Sequence, residues 1–284
     1  MIALPSCFDI FRRKNVLNVY WYRNIVNFGD TVNPYLVKEL GRKHVRWVNP
    51  KKIKKDYYLC AGSVLGKANG NATIWGSGFM RGDEKLGSAP KKIHAVRGPL
   101  TRELLSRQGM ECPDVFGDPV LLLPFLHRPK PEKLYKLGII PHFVDKDHPW
   151  LRKEPSGGIR IIDIQNRNIF AFIEDVNRCE RVISSSLHGL IIADAYSIPS
   201  RWVKFSDKIG GGNFKFLDYY KSIGKTTDRP MEITDRTTIE DILKEISIFE
   251  PLRIDLSKLA RSCPFIDEQV LTSLLLKIDT PGPS

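Results

Sequence analysis

The chain has 284 residues, of which 42% are hydrophobic and 27% are charged, a composition typical of a folded globular protein. Its 44 lysine and arginine residues outnumber the 32 aspartate and glutamate residues, which gives a formal net charge of +12 at pH 7. This excess favours an anionic partner: nucleic acid, an anionic membrane surface, or a phosphorylated or acidic small molecule. Charge alone does not choose among these classes.

The cysteines exclude several further classes. They are widely spaced and form no Cys-x-x-Cys pair: Cys7, Cys60, Cys112, Cys179 and Cys263. We therefore expect reduced thiols, no disulfide framework, no essential metal ion and a cytoplasmic location. No apolar run approaches the roughly 20 residues that span a bilayer. Residues 8–14 mix charges with apolar side chains, so we expect no secretory signal.

The first part of the chain alternates predicted strands and helices. Buried strands are predicted at 16–22, 57–61, 72–75 and 92–96. Helices are predicted at 32–40 and 100–107, and an apolar run follows at 120–126. Strands that end in glycine-containing turns and lead into helices are typical of an open parallel α/β sheet, which binds ligands at the carboxyl ends of its strands.

A charged segment with two prolines, at 127–136, has the composition of a linker. A second series of predicted strands follows it at 137–140, 159–163, 181–184 and 202–205. Predicted helices lie at 168–178, 187–196, 214–223, 238–249 and 256–277. We therefore predict an α/β protein with two Rossmann-like domains, 1–128 and 129–250, whose parallel sheets face each other across a cleft. A C-terminal helix and a frayed tail complete the chain at 251–284.

The strongest functional motif is Ser184-Ser185-Ser186-Leu187-His188-Gly189, where a predicted strand runs directly into a helix. The free amides of a helix N-terminus and the helix dipole both favour an anion. Serine residues can cap such a helix. Histidine titrates near neutral pH and suits proton transfer. We predict a functional role for His188; the alternative is a histidine satisfied by nearby backbone.

Four further motifs place candidate ligand contacts at strand ends. Asp30 lies in a turn between a strand and a helix, where it either faces a ligand or caps the helix. Arg97 ends an apolar strand, and its planar guanidinium matches phosphate and carboxylate oxygens; a surface ion pair is the alternative. His142 follows a strand and can line the cleft. Ser63 follows Gly62 in a turn that lets backbone approach a ligand closely, although this turn taken alone is better explained as an ordinary strand-end turn.

Dinucleotide, ATP and nucleic-acid binding find no support in the motifs. The glycine-containing turns match neither the dinucleotide fingerprint nor the P-loop. The basic run at 51–55 has no interleaved aromatic residues and belongs to no recognised binding module, so we expect no nucleic-acid partner. We expect this run to be a solvated surface loop; attraction to anionic lipid head groups is the weaker alternative.

Four of these motifs, taken together in chain order, resemble the polysaccharide pyruvyl transferase family. They are Asn27-Phe28-Gly29-Asp30, Ala95-Val96-Arg97-Gly98, Gly117-Asp118-Pro119 and the serine–histidine motif at 184–189. The resemblance covers roughly residues 16–224. It implies a GT-B-like fold and transfer of the enolpyruvyl group of phosphoenolpyruvate to two hydroxyls of one sugar, with a pyruvate ketal and phosphate as products.

The resemblance implies that the first domain, which contains Arg97, binds the acceptor and that the second domain binds the donor. His188 and Asp30 are the expected catalytic residues. The expected donor-binding residues are Arg97, Ser185, Ser186, Leu187, Gly189, His142 and Ser63. The expected acceptor-binding residues are Asn27, Asp118 and Lys215. Ser186 occupies a position where some members of the family have an arginine.

The expected acceptor is a lipid-linked oligosaccharide that is part of an exopolysaccharide repeat unit. Its pyrophosphate and uronic acids would account for the basic charge, and peripheral contact with an anionic membrane would follow. Two alternatives stay open at this point. One is a GT-B glycosyltransferase that uses a nucleotide sugar, and the other is a non-catalytic protein that binds a sugar or an anion.

Overall fold

The computed structural model describes residues 15–152, 157–246 and 251–280. Cys7, the segment 8–14, the end of the predicted helix at 247–249 and the tail at 281–284 lie outside these ranges. Within them, none of the helices combines the length and the apolar character needed to cross a bilayer.

The first half of the chain forms a five-stranded sheet in which each adjacent pair of strands is parallel. Its strands are β1 (Val16–Tyr20), β2 (His44–Trp47), β3 (Tyr57–Leu59), β4 (Ala72–Trp75) and β5 (Lys92–Ala95). Its helices are α1 (Phe28–Thr31), α2 (Asn33–Gly41), α3 (Pro99–Arg107) and α4 (Leu123–Leu126). Short 3₁₀ helices lie at Leu65–Lys67 and Pro119–Leu122.

The second half forms another five-stranded parallel sheet. Its strands are β6 (Leu137–Ile140), β7 (Ile159–Ile161), β8 (Val182–Ser184), β9 (Ser200–Lys204) and β10 (Met231–Glu232). Its helices are α5 (Pro149–Arg152), α6 (Ile169–Asn177), α7 (Leu187–Ala195), α8 (Phe214–Ser222) and α9 (Ile239–Glu245). The predicted α/β class with two parallel sheets is confirmed.

The two sheets have the same topology. The strand order is β2-β1-β3-β4-β5 in one and β7-β6-β8-β9-β10 in the other, so both read 2-1-3-4-5 when numbered within their own half. In sheets of this order the direction of winding reverses between the first and third strands. Ligands bind beside the carboxyl ends of those two strands. The topology therefore points to the ends of β1 and β3 in the first half, and of β6 and β8 in the second.

Two edge strands were not predicted. Strand β2 alternates exposed and half-buried residues, so it lacks the continuous apolar run of a central strand, and β10 has only two residues. By contrast, β4, β6 and β8 are buried along their whole length, as expected for central strands covered on both faces.

The C-terminal segment contains two helices, α10 (Leu256–Arg261) and α11 (Glu268–Asp279), so the single helix predicted at 256–277 is wrong. Pro264 lies between the two helices and has no N–H to continue a helical hydrogen-bond pattern. The segment packs against the first half: the Trp75 indole donates to the Leu259 carbonyl, and Lys277 donates to the Phe125 carbonyl.

A buried ion pair joins the two halves. Arg97 follows β5 and Asp218 lies on α8; both side chains are fully buried, with Arg97 Nε 2.9 Å from Asp218 Oδ2. The same carboxylate accepts hydrogen bonds from the Thr101 backbone N–H and hydroxyl at 2.8 and 2.7 Å. Gly98 is required here, because a Cβ at this position would lie 1.9 Å from the Asp218 carbonyl oxygen.

A second contact between the halves involves α1. The Phe28 ring stacks on Phe172 with 4.4 Å between ring centroids, and the Phe28 N–H donates to the Ile164 carbonyl at 2.9 Å. The first half is thus attached to the second by apolar packing at α1 and by the ion pair at α8.

Replacement of Asp218 tests the ion pair. Asp218→Ala leaves the Arg97 guanidinium buried without its counter-charge, so we expect the free energy of unfolding to fall by about 3–5 kcal/mol. Denaturant titration measures this loss. The matched control is Glu103→Ala, which removes the partner of exposed Arg107 on α3 and should change the stability little. Equal losses in the two variants would contradict this role of Asp218.

Candidate active site

A cavity of about 480 Å³ opens where the two strand-order reversals meet. The first half contributes Tyr20 at the end of β1, then Tyr22, Asn27 and Asp30 after that strand, and Gly62 and Ser63 after β3. The second half contributes His142 and Phe143 after β6, and Ser186, Leu187 and His188 after β8. All four strand ends indicated by the topology therefore border the same cavity.

The His188 imidazole lies in the first turn of α7 and packs against the backbone of the first half. A Cβ on Gly29 would lie 2.0 Å from His188 Nδ1, so the glycine leaves the room that the ring occupies. His188 Nε2 lies 3.6 Å from Asp118 Oδ2. Among the described residues, this buried nitrogen has no hydrogen-bond partner. The Asp118 carboxylate thus lies beside Nε2 but beyond hydrogen-bond distance.

Asp118 is fully buried behind His188 and does not line the cavity. Its Oδ1 accepts from the Val120 N–H at 3.0 Å and so caps the 3₁₀ helix, while its Oδ2 accepts from the Gly62 N–H at 3.3 Å. These bonds hold the carboxylate in place. The structure therefore does not bring Asp118 to the position expected of an acceptor contact; it places the carboxylate 3.6 Å from His188 Nε2.

Asp30 faces the cavity from α1, and its Oδ1 accepts from the Tyr22 N–H at 3.2 Å. Asn27 begins the same helix, and its side chain accepts from the Gly29 N–H at 3.1 Å. Burial raises the pKa of Asp30 to about 6, and this effect is partly offset by His188 and by the Tyr22 N–H. A carboxyl with this pKa can exchange a proton near neutral pH.

The three serines differ in role. Ser184 Oγ donates to the Ile140 carbonyl and the Ser186 carbonyl, at 2.8 and 2.9 Å. Ser185 Oγ donates to Asp145 and accepts from the His142 N–H. Ser186 lines the cavity and its side chain makes no capping hydrogen bond. Ser184 and Ser185 thus fix the turn, and Ser186 is the serine available to a ligand.

Gly189 brings α7 close to β8, since a Cβ on it would lie 2.3 Å from Ser184 Oγ. Like Ser185, it supports the turn and does not line the cavity. Leu187 does line it, as expected. Of the predicted donor contacts in this motif, the structure brings Ser186 and Leu187 to the cavity wall.

The His142 ring is buried beside the cavity, and its Nδ1 accepts from the Val144 N–H at 3.4 Å. The pKa of His142 is lowered to about 4. Burial is the largest cause, Lys215 contributes to the shift, and Asp145 opposes it. The ring is therefore neutral at pH 7 and carries its proton on Nε2. It can donate one hydrogen bond to a ligand.

Arg97 lies behind the cavity wall. Its Nη1 donates to Ser63 Oγ at 2.6 Å and its Nη2 to the Phe79 carbonyl at 2.7 Å. Full burial and the pairing with Asp218 argue against the expected direct contact between Arg97 and an anion. Ser63 does line the cavity, so the hydrogen bond from Arg97 fixes the position of a side chain in the cavity wall.

The sequence reasoning did not identify several residues of the wall. Tyr20 is the last residue of β1 and Tyr22 lies two residues beyond it, so the strand-end rule could have identified both. Lys67, Arg81 and Glu84 also line the cavity. Arg81 and Glu84 lie in the long connection between β4 and β5, where no periodic pattern marks them.

A second cavity of about 420 Å³ lies at the opposite edge of the first sheet, where β1 and β2 begin. Its wall is basic and includes Lys38, Arg42, Lys43 and Lys277. None of the predicted site residues belongs to it. In the described ranges, no three His, Cys, Asp or Glu side chains gather as a metal site would require.

The sequence of the chain matches the family model for polysaccharide pyruvyl transferases over residues 29–207, which is more than half of its length. The chain belongs to the polysaccharide pyruvyl transferase family. The matched segment contains Asp30, Ser63, Arg97, Asp118, His142 and His188, and it ends before α8.

Two relatives are similar over most of their length. The succinoglycan biosynthesis protein ExoV of Rhizobium meliloti (strain 1021) is 29% identical over 237 residues, which cover 79% of this chain and 70% of that protein. The uncharacterized protein L143 of Acanthamoeba polyphaga mimivirus is 29% identical over 255 residues, which cover 87% of this chain and 88% of that protein. Both alignments cover more than two thirds of each chain.

The raised pKa of Asp30 has a consequence for stability. Between about pH 4 and 6 the native carboxyl binds a proton that the unfolded chain releases, so this group makes the protein less stable as the pH rises through that window. At pH 7 the full cost is present, and Asp30→Asn should stabilise the protein by about 1–3 kcal/mol. The gain should disappear below pH 4.

Denaturant titration at pH 7 and pH 4 measures both effects. Asparagine keeps an oxygen that can accept from the Tyr22 N–H, so that hydrogen bond is retained. The control is Asp83→Asn, which alters an exposed carboxylate and should shift the stability little at either pH. Destabilisation by Asp30→Asn at pH 7 would contradict the burial cost assigned to this carboxyl.

Proposed function

We propose that this protein transfers the enolpyruvyl group of phosphoenolpyruvate to two hydroxyls of one sugar in an exopolysaccharide repeat unit. The products are a pyruvate ketal and phosphate. The observation that carries the proposal is His188 in a cavity bordered by both strand-order reversals, in a member of this family. We further propose that the two sheets form a GT-B-like pair.

The reaction requires one proton at carbon and one at phosphate. In the first step a sugar hydroxyl adds to C2 of the enolpyruvyl group while C3 receives a proton and becomes a methyl group. The C2–O bond to phosphate then breaks, and the phosphate leaves. The second hydroxyl attacks C2 to close the ring, and its proton goes to the solvent or to the phosphate. The two hydroxyl protons thus balance the new C–H bond and the released phosphate.

His188 is the proposed general acid that protonates C3. Asp118 lies behind it, with Oδ2 3.6 Å from Nε2. Asp30 is the proposed base that takes the proton of the attacking hydroxyl, and its pKa of about 6 suits that task. The acid comes from the second half and the base from the first, so chemistry requires both halves.

The donor anion is the proposed ligand of the α7 N-terminus. The first-turn amides of α7 and the Ser186 hydroxyl border the cavity, and a helix N-terminus favours negative charge. His142 supplies a neutral donor from the same half, and Ser63 supplies a hydroxyl from the other. Leu187 completes this wall.

The acceptor is the proposed ligand of the first-half side, where Asn27, Tyr20 and Tyr22 lie. Aromatic rings at the cavity mouth can pack on a sugar face. We propose a lipid-linked oligosaccharide as the carrier of this sugar. The net charge of +12 supports peripheral contact with an anionic membrane.

The direct test is turnover. The protein is incubated with phosphoenolpyruvate and a panel of lipid-linked or model glycosides, and phosphate release and pyruvylated sugar are measured together. The proposal expects both products in equal amounts. Transfer from a nucleotide sugar without use of phosphoenolpyruvate would instead indicate a glycosyltransferase. Absence of both reactions, with binding retained, would indicate a non-catalytic binding protein.

His188→Gln tests the general acid. Glutamine retains hydrogen bonding but cannot deliver a proton, so we expect kcat to fall by about 10²–10⁴-fold. The measurement is initial-rate phosphate release at saturating donor. His44→Gln, at an exposed position of β2, is the control and should keep the wild-type rate. Full turnover by His188→Gln would exclude the assigned role.

The pH profile tests Asp30. A base must be ionised before it accepts a proton, so kcat/KM should fall about tenfold per pH unit below pH 6. Asp30→Asn should lower the rate at pH 7 and remove this acid limb. The profile is measured from pH 4.5 to 8, with circular dichroism to show that the chain stays folded. A wild-type profile that is flat between pH 5 and 6 would contradict the assignment.

A further inference from the structure

Lys215 is a buried cation in the wall of the active-site cavity. It lies on α8 and is 6% exposed. Its ammonium contacts are poor: Nζ lies 3.8 Å from Met80 Sδ and 3.4 Å from the Gly210 carbonyl, and 5.4 Å from the centre of the Phe216 ring. Strong hydrogen bonds of an ammonium group are shorter, about 2.7–2.9 Å to an anionic oxygen.

In the part of the chain that the structure describes, no carboxylate lies within ion-pair distance of Lys215. Asp218 is one turn further along α8, but its oxygens are engaged by Arg97 and Thr101. Arg97 is the charged neighbour that acts on Lys215 and lowers its pKa; His142 has both a cation, Lys215, and the carboxylate of Asp145 beside it. Burial of an unpaired charge is costly, so this ammonium needs an anion.

Burial also lowers the pKa of Lys215, to about 8, and Arg97 adds to this shift. The group is therefore still mostly charged at pH 7. An anion bound in the cavity would favour the charged form.

We propose that Lys215 binds the phosphoryl group of the donor. This assignment rests on the proposed function and deepens it. It moves Lys215 from the expected acceptor side to the donor side. The phosphoryl end of phosphoenolpyruvate then lies on the second-half wall, which Lys215 shares with His142 and with Ser186 at the start of α7. A doubly charged phosphoryl group supplies the negative charge that no described carboxylate provides for Lys215.

The position of Lys215 depends on the ion pair between the halves. Lys215 and Asp218 are three residues apart and so share one face of α8. Asp218 is fixed by Arg97 and Thr101, which orients the helix and with it the ammonium. The segment that matches the family model ends at residue 207, so the match itself assigns Lys215 no role.

The test compares the Lys215→Met and Lys215→Gln variants with the wild-type protein. Inorganic phosphate, pyruvate and phosphoenolpyruvate are the probes, with Kd from calorimetry and KM and kcat from phosphate release. Loss of a charge-assisted contact should weaken phosphate and phosphoenolpyruvate binding at least tenfold and raise the KM of the donor, with pyruvate affinity unchanged. Lys221→Met, at an exposed position of the same helix, should bind as the wild type does.

Rescue separates an anion contact from a structural role. Ser186 lines the same cavity, so Ser186→Arg in the Lys215→Met background places a cation on the same wall and should restore phosphate affinity in part. A merely structural lysine would give no rescue. Unfolding midpoints for each variant show whether the fold is retained, and Lys215→Gln replaces Lys215→Met if the latter does not fold.

Unchanged phosphate affinity in folded Lys215 variants would overturn the assignment, as would a loss confined to pyruvate, which would place the donor carboxylate at this lysine. If the wild-type protein still consumes phosphoenolpyruvate, neither of these two results contradicts the proposed function. Phosphate binding that depends on Lys215, in a protein that never consumes phosphoenolpyruvate, would support the anion site and reject the proposed function.

Discussion

The buried ion pair between Arg97 and Asp218 is the interaction on which the site depends. It crosses between the halves, and the carboxylate also accepts two hydrogen bonds from Thr101. The same guanidinium holds Ser63 in the wall of the cavity, and the same helix carries Lys215. A buried pair of this kind adds little net stability, but loss of one partner is costly. Its effect is to fix how the two walls of the cavity meet.

Each half contributes an incomplete site. The sheets share one strand order, and each brings its own reversal point to the cavity. The imidazole of His188 comes from the second half, whereas Asp118 behind it and Gly29 against it come from the first. A movement that separated the halves would therefore take Asp118 away from His188, and Asp30 away from the second-half wall of the cavity. Contact between the two halves is therefore what brings Asp30, Asp118 and His188 together.

The sequence predicted well what is set locally. The central strands follow from continuous apolar runs, and the position of His188 follows from a strand that runs directly into a helix. The edge strand β2 has no such run, and the helix break at Pro264 was overlooked although the proline is visible in the sequence.

The burial of Arg97 could not be predicted in the same way. Its partner Asp218 is 121 residues away, and no local pattern marks the two as a pair. An arginine at a strand end is equally consistent with a ligand contact and with an ion pair. The position of Lys215 in the cavity could not be predicted either, because it depends on how α8 contacts the first half.

Hydrogen exchange with and without phosphoenolpyruvate tests most directly whether both halves form one anion-binding site. Binding should slow amide exchange in the segments after β1, β3, β6 and β8, at 21–31, 60–67, 141–145 and 185–190, and should leave the basic cavity around Lys38 and Lys277 unchanged. Slowing confined to one half, or centred on that basic cavity, would contradict the account.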